Sequence, residues 1–403
     1  GSLQSRALTR LSARKLYICD GTPIGNYPRD ILPLAAAAVG GGVAHQPYDI
    51  RNGIYLERRL LESCNGAIRG IDQFRDNHVC LEWCTNEFKD DLRQGAKREI
   101  PKINNVVAFR AWAGTFVQRR LRNEPEVAPY AGCPVPVERT VTLEWDRDHF
   151  AHYLKPAVDF AQWFERDRKS RDLEGKGSNL VAILARISAT IQAANQPHAS
   201  DKGAGCRYMP LTSKQRYAIQ RLTELSSQGH KTILYATSPA VLERLQQELA
   251  KKGVEAVLFT GKDTVQARTK RLDERFRFGP APVLLASLGV SQRGLNLEQA
   301  NHIIFYNRDW QADTEAQAIA RTTRPDQKLI VQVEYLLLVG GIDLYMGQVV
   351  DWKKAAADSG LDYGDGVTNT DVFTHMDAVL EAFCRDTLGM SSTEAFRAYC
   401  SAA

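Results

Sequence analysis

The sequence predicts an α/β fold in which a parallel β-sheet is covered by helices on both faces. From about residue 212 onwards, short apolar runs rich in β-branched residues alternate with longer segments that repeat apolar residues at helical spacing. Strands joined through helices pair in parallel and are buried on both sides, which explains why the runs are continuously apolar. In such sheets, ligands bind at the carboxyl ends of the strands.

The second half of the chain contains a series of predicted strands, each a short apolar run bounded by polar or turn residues. They are Thr232–Ala236, Ala256–Thr260, Val283–Ser287, His302–Tyr306 and Val331–Leu338. Helices are predicted over Pro239–Lys252 and Thr264–Phe278. Residues 287–294 and 307–310 directly follow strands, so both loops are predicted to lie at the edge where ligands bind.

Helical segments are also predicted outside this alternating region. Residues 179–198 form an apolar stretch that precedes it. The tail from Leu361 to Ala403 contains amphipathic stretches near Val372–Leu388 and Ser392–Ser401. We interpret the tail as a helical cap or as an element that docks a protein partner.

Composition limits the class of protein. The chain has 403 residues, of which 44% are hydrophobic, enough for two or three domains with buried cores. Its longest apolar run, residues 31–44, is shorter than the roughly 20 residues that span a bilayer, so no membrane segment is predicted. Eight irregularly spaced cysteines indicate reduced thiols and a cytoplasmic protein, with nucleoid association or a viral origin left open. The net charge of +5 permits nucleic-acid binding without requiring it.

Cys64, His78, Cys80 and Cys84 are residue types that bind zinc. The cluster has no Cys-x-x-Cys pair, so a structural role is favoured and no metal site is predicted. Zinc near the three cysteines stays open as an alternative.

Gln317, Arg321 and Arg324 are spaced at i, i+4 and i+7, so a helix would place them on one face. Two guanidinium groups that point the same way indicate an anion between them. The alternative is an ordinary surface face, with ion pairs to Glu315 or Asp326. The sequence around the three residues favours the anion site.

Several sequence strings occur in order along the second half of the chain: KTILYATS, FTGKDTVQAR, VLLASLGVSQRGLNL, FYNRDW and QAIARTTRPDQ. Together they resemble motifs IV, V and VI of the second RecA-like lobe of Swi/Snf-type superfamily 2 helicase-like ATPases. The continuation VEYLLLVGGIDLYMGQVVDWKK resembles the strand and helix that follow motif VI in this family. The resemblance implies that the predicted sheet is RecA-like.

The first half extends the resemblance. ARKLYICDGTPIGNYPRDILPL resembles motif III at the end of the first lobe, and the segment containing Arg119, Arg120, Pro134 and Tyr153 resembles the connection between the lobes. No family pattern is visible between His45 and Ile103. The implied organisation is a remnant of lobe 1 with motif III (1–44), a family-specific insertion and end of lobe 1 (45–130), an inter-lobe strand and helical protrusion (131–211), the second RecA-like lobe (212–360) and a helical tail (361–403).

The resemblance assigns nucleotide-binding roles to several residues. Arg321 and Arg324 match the two motif VI arginines that act as arginine fingers, and Gln317 matches the catalytic glutamine position. Gly294 and Asn296 of motif V, with the two arginines, would contact the nucleotide. Here the sequence departs from the family, which has glycines where this chain has Ser291 and Gln292, and glycine and histidine where it has Ala320 and Thr323.

The resemblance also implies contacts to the backbone of double-stranded DNA. Such contacts provide affinity without sequence choice. The implied DNA-binding residues are Gly21, Thr22, Ser287, Leu288, Gly289, Lys262 and Arg268. Lys231 is a further candidate for a phosphate contact. For Lys231, Lys262 and Arg268 alike, a solvated surface role is equally favoured.

The sequence lacks the glycine-rich loop ending in Gly-Lys-Thr or Gly-Lys-Ser that wraps nucleotide phosphates. Its only Asp-Glu pair, Asp273–Glu274, lies inside a predicted helix. We therefore expect the chain to be the carboxyl-terminal part of a larger ATPase in which ATP and Mg²⁺ are bound mainly by the first lobe. On this expectation, the chain alone is inactive.

Two other functions stay open. The chain could be a non-catalytic module with a degenerate helicase fold that binds nucleic acid or protein, or part of an RNA helicase or restriction-type translocase of superfamily 2. A protein partner could bind through residues 45–103 or the tail 361–403. The intact pair Arg321 and Arg324 favours the ATPase.

Overall fold

A computed structural model gives the structure of the chain. The described residues are 15–19, 24, 28–39, 50–51, 54–55, 57–59, 67–84, 96–120, 124–130, 132, 134–174, 180–199, 207–291, 295–309, 312–325, 327–348, 350–351 and 376–392. Within these residues, no helix is long and apolar enough to cross a membrane.

The chain divides into two compact units, which are described separately. Unit 1 comprises Gly1–Arg120, Gln311–Asp313 and Asp351–Phe373, and unit 2 comprises Leu121–Trp310, Thr314–Val350 and Thr374–Ala403. The boundary near residue 120 falls ten residues before the predicted start of the inter-lobe segment at 131.

Unit 1 consists of short helices and antiparallel strand pairs. Its elements are α1 (Leu32–Val39), β1 (Ile50–Arg51), β2 (Ile54–Tyr55), β3 (Glu57–Arg59), β4 (Ala67–Arg69), α2 (Gly70–His78), β5 (Val79–Cys84), β6 (Ala96–Ile103) and α3 (Val106–Ala113). Strand β1 pairs with β2, β3 with β4, and β5 with β6. Phe74, Phe109 and Trp112 form the aromatic centre of the core, with edge-to-face ring contacts.

Unit 2 is built on a six-stranded parallel sheet, which confirms the predicted α/β class. The strands are β7 (Val137–Leu143), β8 (Thr232–Ala236), β9 (Ala256–Phe259), β10 (Val283–Ser287), β11 (His302–Phe305) and β12 (Gln332–Leu338). Their order across the sheet is β7-β12-β11-β8-β10-β9. The five predicted strands are present within two residues of their expected bounds. The sixth, β7, comes from the inter-lobe segment and pairs along its whole length with β12.

The helices of unit 2 surround this sheet. They are α4 (Arg147–Glu174), α5 (Leu180–Asn195), α6 (Ser213–Ser227), α7 (Pro239–Lys251), α8 (Val265–Arg271), α9 (Leu288–Ser291), α10 (Ala312–Thr322), α11 (residues 342–348) and α12 (Met376–Ser392). The predicted helix Thr264–Phe278 is in fact α8 followed by a π-helical turn, Leu272–Arg277. The predicted tail helix corresponds to α12, and the stretch Ser392–Ser401 lies almost wholly outside the described residues.

Both faces of the sheet are buried because alternate side chains of each strand enter different clusters. On β8, Ile233 and Tyr235 belong to one hydrophobic cluster, and Leu234 and Ala236 belong to the other. A fully buried aliphatic side chain contributes about 1.5–3 kcal/mol to stability, so two such layers hold the sheet firmly. The predicted cover of helices on both faces is therefore confirmed.

The tail helix α12 packs on α4. Phe383 contacts Phe160 of α4 and the ring of Tyr345, and the Tyr345 hydroxyl donates to Asp386 at 2.6 Å. These contacts place α12 as a cap on the helices of unit 2, which agrees with one of the two interpretations of the tail.

Candidate functional site

The ends of two neighbouring strands are joined by an amide side chain at the carboxyl edge of the sheet. Asn307 follows β11, and its Oδ1 accepts a hydrogen bond from the backbone amide of Thr237, which follows β8, at 3.1 Å. Its Nδ2 donates to the Thr237 hydroxyl at 2.7 Å. Asn307 is buried. These two hydrogen bonds fix the loops against each other at the edge where ligands bind in parallel sheets.

The next residue, Arg308, anchors the start of α10. Its Nε contacts both carboxylate oxygens of Glu315, at 2.8 and 2.9 Å, and its guanidinium lies 4.6 Å from the centre of the Tyr335 ring. The pair is nearly buried, with side-chain exposures of 11% and 5%. Glu315 is thus a buried partner of Arg308 and not a surface residue. Asp326, the other residue considered as an ion-pair partner of the motif VI arginines, lies outside the described residues.

The last turn of α10 is bonded to the segment that leads into β11. The backbone amide of Leu297 donates to the carbonyl oxygen of Arg321 at 2.9 Å. The buried side chain of Gln327 donates through Nε2 to the carbonyl oxygens of Ala300 at 2.7 Å and Glu298 at 3.0 Å. The segments that resemble motifs V and VI therefore form one hydrogen-bonded assembly.

Arg321 and Arg324 are both partly buried within this assembly. Helix α10 ends at Thr322, so Arg324 lies in the turn after the helix, and its backbone amide bonds the Thr322 carbonyl at 3.0 Å. The expectation of one helix face for all three residues is therefore wrong for Arg324. Burial lowers the pKa of Arg321, and the nearby charge of Arg324 lowers it further.

Tyr235 on β8 lies close enough to Arg321 for the charge of the guanidinium to act on its hydroxyl. Its ring stacks on Phe305, with centroids 5.4 Å apart, and Phe305 stacks on Tyr335 at 5.1 Å. Burial raises the pKa of the Tyr235 hydroxyl, and the charge of Arg321 opposes that rise. The closeness of Tyr235 to Arg321 could not be predicted from the sequence, because an aromatic residue in a buried strand is typical of any core.

The predicted DNA-binding residues near β10 and β11 differ in exposure. Ser287 is buried at the end of β10. Leu288 is fully buried in the core, backbone included, which argues against the predicted contact of Leu288 with DNA. Gly289 is exposed, with open space where a side chain would lie, and Asn296 is exposed. Gly21, Thr22 and Gly294 lie outside the described residues.

The candidate phosphate-binding cations lie in different places. Lys262 is exposed at the carboxyl edge after β9 and pairs with Glu243. Arg268 packs its guanidinium over the Phe259 ring, 5.3 Å from the centroid. Lys231 precedes β8, so it lies at the opposite edge, where it binds the carbonyl oxygens of Phe276 and Gly279. Lys231 is a structural cap of the π-helical turn and does not belong to the site.

The basic run from Lys270 to Arg277 carries its own counter-charges. Its ion pairs are Lys270 with Glu274, Arg271 with Asp263, Arg275 with Glu255, and Arg277 with Asp273. Paired charges of this kind give no uniform positive field, so the run is a poor surface for DNA.

The structure gives no support for zinc at His78. Its ring is buried beside Phe74 and Trp112, and its Nδ1 lies 3.3 Å from the Asn104 carbonyl oxygen. In the described part of the chain, no three His, Cys, Asp or Glu residues are grouped as metal ligands. Cys64 lies outside that part.

Comparison with known proteins identifies the region that carries this site. Residues 214–326 match the family model described as "Helicase conserved C-terminal domain". The chain is 32% identical over 134 residues to the DNA repair and recombination protein RAD54B of Gallus gallus, covering 32% of this chain and 14% of that protein. It is 26% identical over 140 residues to the putative ATP-dependent helicase/translocase YwqA of Bacillus subtilis, covering 35% of this chain and 15% of that protein. The chain thus spans about one seventh of these relatives.

Solved structures include similar folds. The Sulfolobus solfataricus SWI2/SNF2 ATPase C-terminal domain matches with a TM-score of 0.42 and 15% identity, covering 61% of this chain and 97% of that one. The SWI2/SNF2 ATPase core from the same organism, in complex with double-stranded DNA, matches with a TM-score of 0.44 and 18% identity, covering 63% of this chain and 52% of that one. Similarity at this level does not establish a shared function.

Proposed function

We propose that this chain is the carboxyl-terminal half of a Swi/Snf-type ATP-dependent DNA translocase. The match of residues 214–326 to the model of the helicase conserved C-terminal domain supports this proposal. In this proposal, a first RecA-like lobe binds ATP and Mg²⁺, and this chain completes the catalytic pocket when the lobes close. The relatives named above are several times longer than the matched segment, which is consistent with such an arrangement.

The proposal is carried by the hydrogen-bonded assembly of α10 and the segment before β11. Leu297 fixes the carbonyl of Arg321, and the adjacent turn holds Arg324 close enough for the two charges to interact. In phosphoryl transfer, negative charge spreads over the phosphoryl oxygens, and fixed positive charge lowers the barrier. We assign Arg321 and Arg324 as arginine fingers for that charge.

Three further residues belong to the proposed nucleotide side. Gln317 lies one turn before Arg321 on α10 and would orient the attacking water or the arginine pair. Asn296 is exposed beside the assembly, and Gly294 precedes it in sequence. Both would contact the nucleotide through backbone or amide groups, as the family resemblance implies.

The DNA would lie against the loops after β9 and β10. Lys262, Arg268, Ser287 and Gly289 are the proposed contacts there, and Gly21 and Thr22 are proposed from the resemblance alone. Gly261 lies 3.5 Å from the Val290 side chain, measured from where its Cβ would be, so the two loops are adjacent. Phosphate contacts from such loops bind double-stranded DNA without reading its sequence.

Mg²⁺ does not fit the residues described in this chain. No cluster of three or more acidic, His or Cys ligands exists in the described part, so the metal would be held by the first lobe and by the nucleotide phosphates. This chain would contribute positive charge instead of metal ligands.

The test uses a protein in which this chain follows a first RecA-like lobe. Arg324→Ala is expected to lower DNA-stimulated ATP turnover by about 10³-fold or more while leaving nucleotide binding largely intact, because a finger acts mainly in the transition state. Arg275→Ala is the matched control, since Arg275 pairs with Glu255 on the surface away from the site. Unchanged turnover in Arg324→Ala would contradict the proposal and favour a non-catalytic binding module.

A further inference from the structure

A fully enclosed ion pair lies where α5, α6 and α11 meet. The Nζ of Lys214 contacts Oδ2 of Asp343 at 2.5 Å and Oδ1 of Asn195 at 2.7 Å. The Nδ2 of Asn195 donates to Oδ1 of Asp343 at 2.9 Å. The three side chains thus form a closed ring of hydrogen bonds, and the exposures of Lys214 and Asp343 are 0% and 1%. We call these residues the Lys214 ring.

Stability alone does not explain the Lys214 ring. Removing two charges from water is costly, and a buried ion pair can often be replaced by apolar residues of similar volume without loss of stability. Every charged atom of the ring is nevertheless matched, and the Lys214 ammonium also lies 5.1 Å from the centre of the Tyr306 ring. Because every hydrogen-bonding group of the pair has a partner, the ring fixes one arrangement of the three helices.

The Lys214 ring is connected to the candidate site through Tyr306. The Tyr306 hydroxyl donates to the backbone carbonyl of Asn195 at 3.2 Å. Tyr306 directly precedes Asn307, whose amide side chain joins the loop after β11 to Thr237 after β8. Two hydrogen bonds therefore connect the Lys214 ammonium to the carboxyl edge of the sheet. One joins Lys214 to the Asn195 side chain, and the other joins the Asn195 carbonyl to the Tyr306 hydroxyl.

On its other side, the Lys214 ring is connected to α4 of the predicted inter-lobe segment. The backbone amide of Ile342, next to Asp343, donates to the Tyr153 hydroxyl at 3.0 Å. Trp145 stacks on Tyr153 and donates through its indole nitrogen to the Val339 carbonyl at 2.7 Å. The start of α11 is therefore held by α4, α5 and α6 together.

We propose that Lys214 is a positioning residue that holds the inter-lobe helices α4 and α5 in a fixed relation to the carboxyl-edge loops. Through Asn195 and Asp343, it makes these helices and the Thr237–Asn307 junction move as one body. If the chain has the proposed function, motion of the inter-lobe helices changes the geometry of the nucleotide site. This consequence of the inference rests on the proposed function. It does not require that Lys214 touch nucleotide or DNA.

The first test uses this chain alone and does not depend on activity. The double variant Lys214→Met/Asp343→Leu removes both charges together, so no unpaired charge stays buried and the fold is expected to persist. Hydrogen exchange at the Thr237 amide is expected to become about tenfold faster, while the amide of Leu285 in the neighbouring β10 is unchanged. Unchanged protection of Thr237 would overturn the proposal.

A second variant keeps the proposal testable if the double variant does not fold. Tyr306→Phe removes only the hydroxyl that bonds Asn195, and it is expected to speed Thr237 exchange about threefold. The control is Lys251→Met/Glu248→Leu, which removes an ion pair on the surface of α7, and no change at Thr237 is expected. An equal effect of this control would show that the response is not specific to the Lys214 ring and would also overturn the proposal.

The second test uses the protein with its first lobe. The Lys214→Met/Asp343→Leu variant is expected to lose about tenfold in DNA-stimulated kcat, with little change in the KM for ATP and with the melting temperature close to the parent. Full stimulated turnover in a variant with faster Thr237 exchange would refute the consequence for the site. A parent protein without DNA-stimulated turnover would refute the proposed function, while the exchange experiment would still decide the role of Lys214.

Discussion

The backbone amide of Leu297 donates a hydrogen bond of 2.9 Å to the carbonyl oxygen of Arg321. A carbonyl in the last turn of a helix has no partner within that helix. Here the partner comes from the segment that resembles motif V, so the end of α10 is fixed by a part of the chain more than twenty residues earlier. The position of the arginines therefore depends on contacts that surround them as well as on the helix itself.

Gln327 is one of those contacts, and its removal should loosen the assembly. Gln327→Ala deletes the donor to the carbonyl oxygens of Glu298 and Ala300. Buried carbonyl groups without a partner cost about 1–3 kcal/mol, so we expect a loss of that size in the free energy of unfolding, measured by urea denaturation. Gln220→Ala is the control, because Gln220 bonds only Glu224 on an exposed surface, and it should change the value little.

Arg308 and Glu315 should behave as a buried ion pair. Arg308→Met leaves the Glu315 carboxylate buried without its partner, which is expected to cost about 3–5 kcal/mol in the free energy of unfolding. Arg308→Met/Glu315→Leu should recover most of that loss. The measurement is a pair of urea denaturation curves against the parent.

The surface pair Lys270–Glu274 provides the comparison for that experiment. Both side chains are well exposed, so Lys270→Met is expected to change stability by only about 0–1 kcal/mol. If Arg308→Met costs no more than Lys270→Met, the pair in the structure does not hold the start of α10 as described.

Stability should depend on pH through His149. Burial lowers the pKa of His149 to about 4, below the value of 6.5 expected in an unfolded chain. Between these values the unfolded chain binds a proton that the folded protein does not, so stability rises with pH. The contribution is present above pH 6.5 and is lost progressively as the pH falls from 6.5 to about 4.

Replacing His149 isolates this contribution. A shift of this size corresponds to about 3 kcal/mol, taking about 1.4 kcal/mol for each pKa unit. His149→Gln should therefore reduce the dependence of the urea midpoint on pH between 4 and 6.5, whatever its effect at pH 7. An unchanged slope would mean that His149 does not titrate as its burial implies.

DNA binding by this chain alone should be weak and sensitive to salt. Contacts to phosphates release counterions, so the logarithm of the binding constant falls linearly with the logarithm of salt concentration. Lys262→Ala should reduce the magnitude of that slope by about 0.9, the value for one phosphate contact, and should act equally on unrelated sequences. Lys251→Ala, on the surface of α7, is the control. Tight binding that persists at high salt would contradict this prediction.

The strands of unit 2 could be predicted because buried parallel strands are continuously apolar. Val283–Ser287 was predicted with the bounds that the structure gives, and Thr232–Ala236 likewise. The end of α10 could not be predicted in the same way. The spacing of Gln317, Arg321 and Arg324 fits a continuing helix, yet Pro325 and the bond from Leu297 end the helix at Thr322.

Contacts between distant parts of the chain also could not be predicted from the sequence. Lys214 and Asp343 are 129 residues apart, and nothing in either neighbourhood signals a buried partner. The same holds for Tyr235, because its closeness to Arg321 depends on how α10 lies on the sheet. The position of a loop directly after a predicted strand was a usable signal, and the loop containing Asn307 was predicted at the carboxyl edge on that basis.

The pairing of β7 with β12 limits where this protein can be shortened. A fragment begun at residue 212 would omit Val137–Leu143 and leave β12, with its run of leucines, as the outermost strand. An apolar strand with an open edge recruits other chains through its free amides and carbonyls. A fragment of unit 2 should therefore begin before Val137 so that the edge of β12 stays covered.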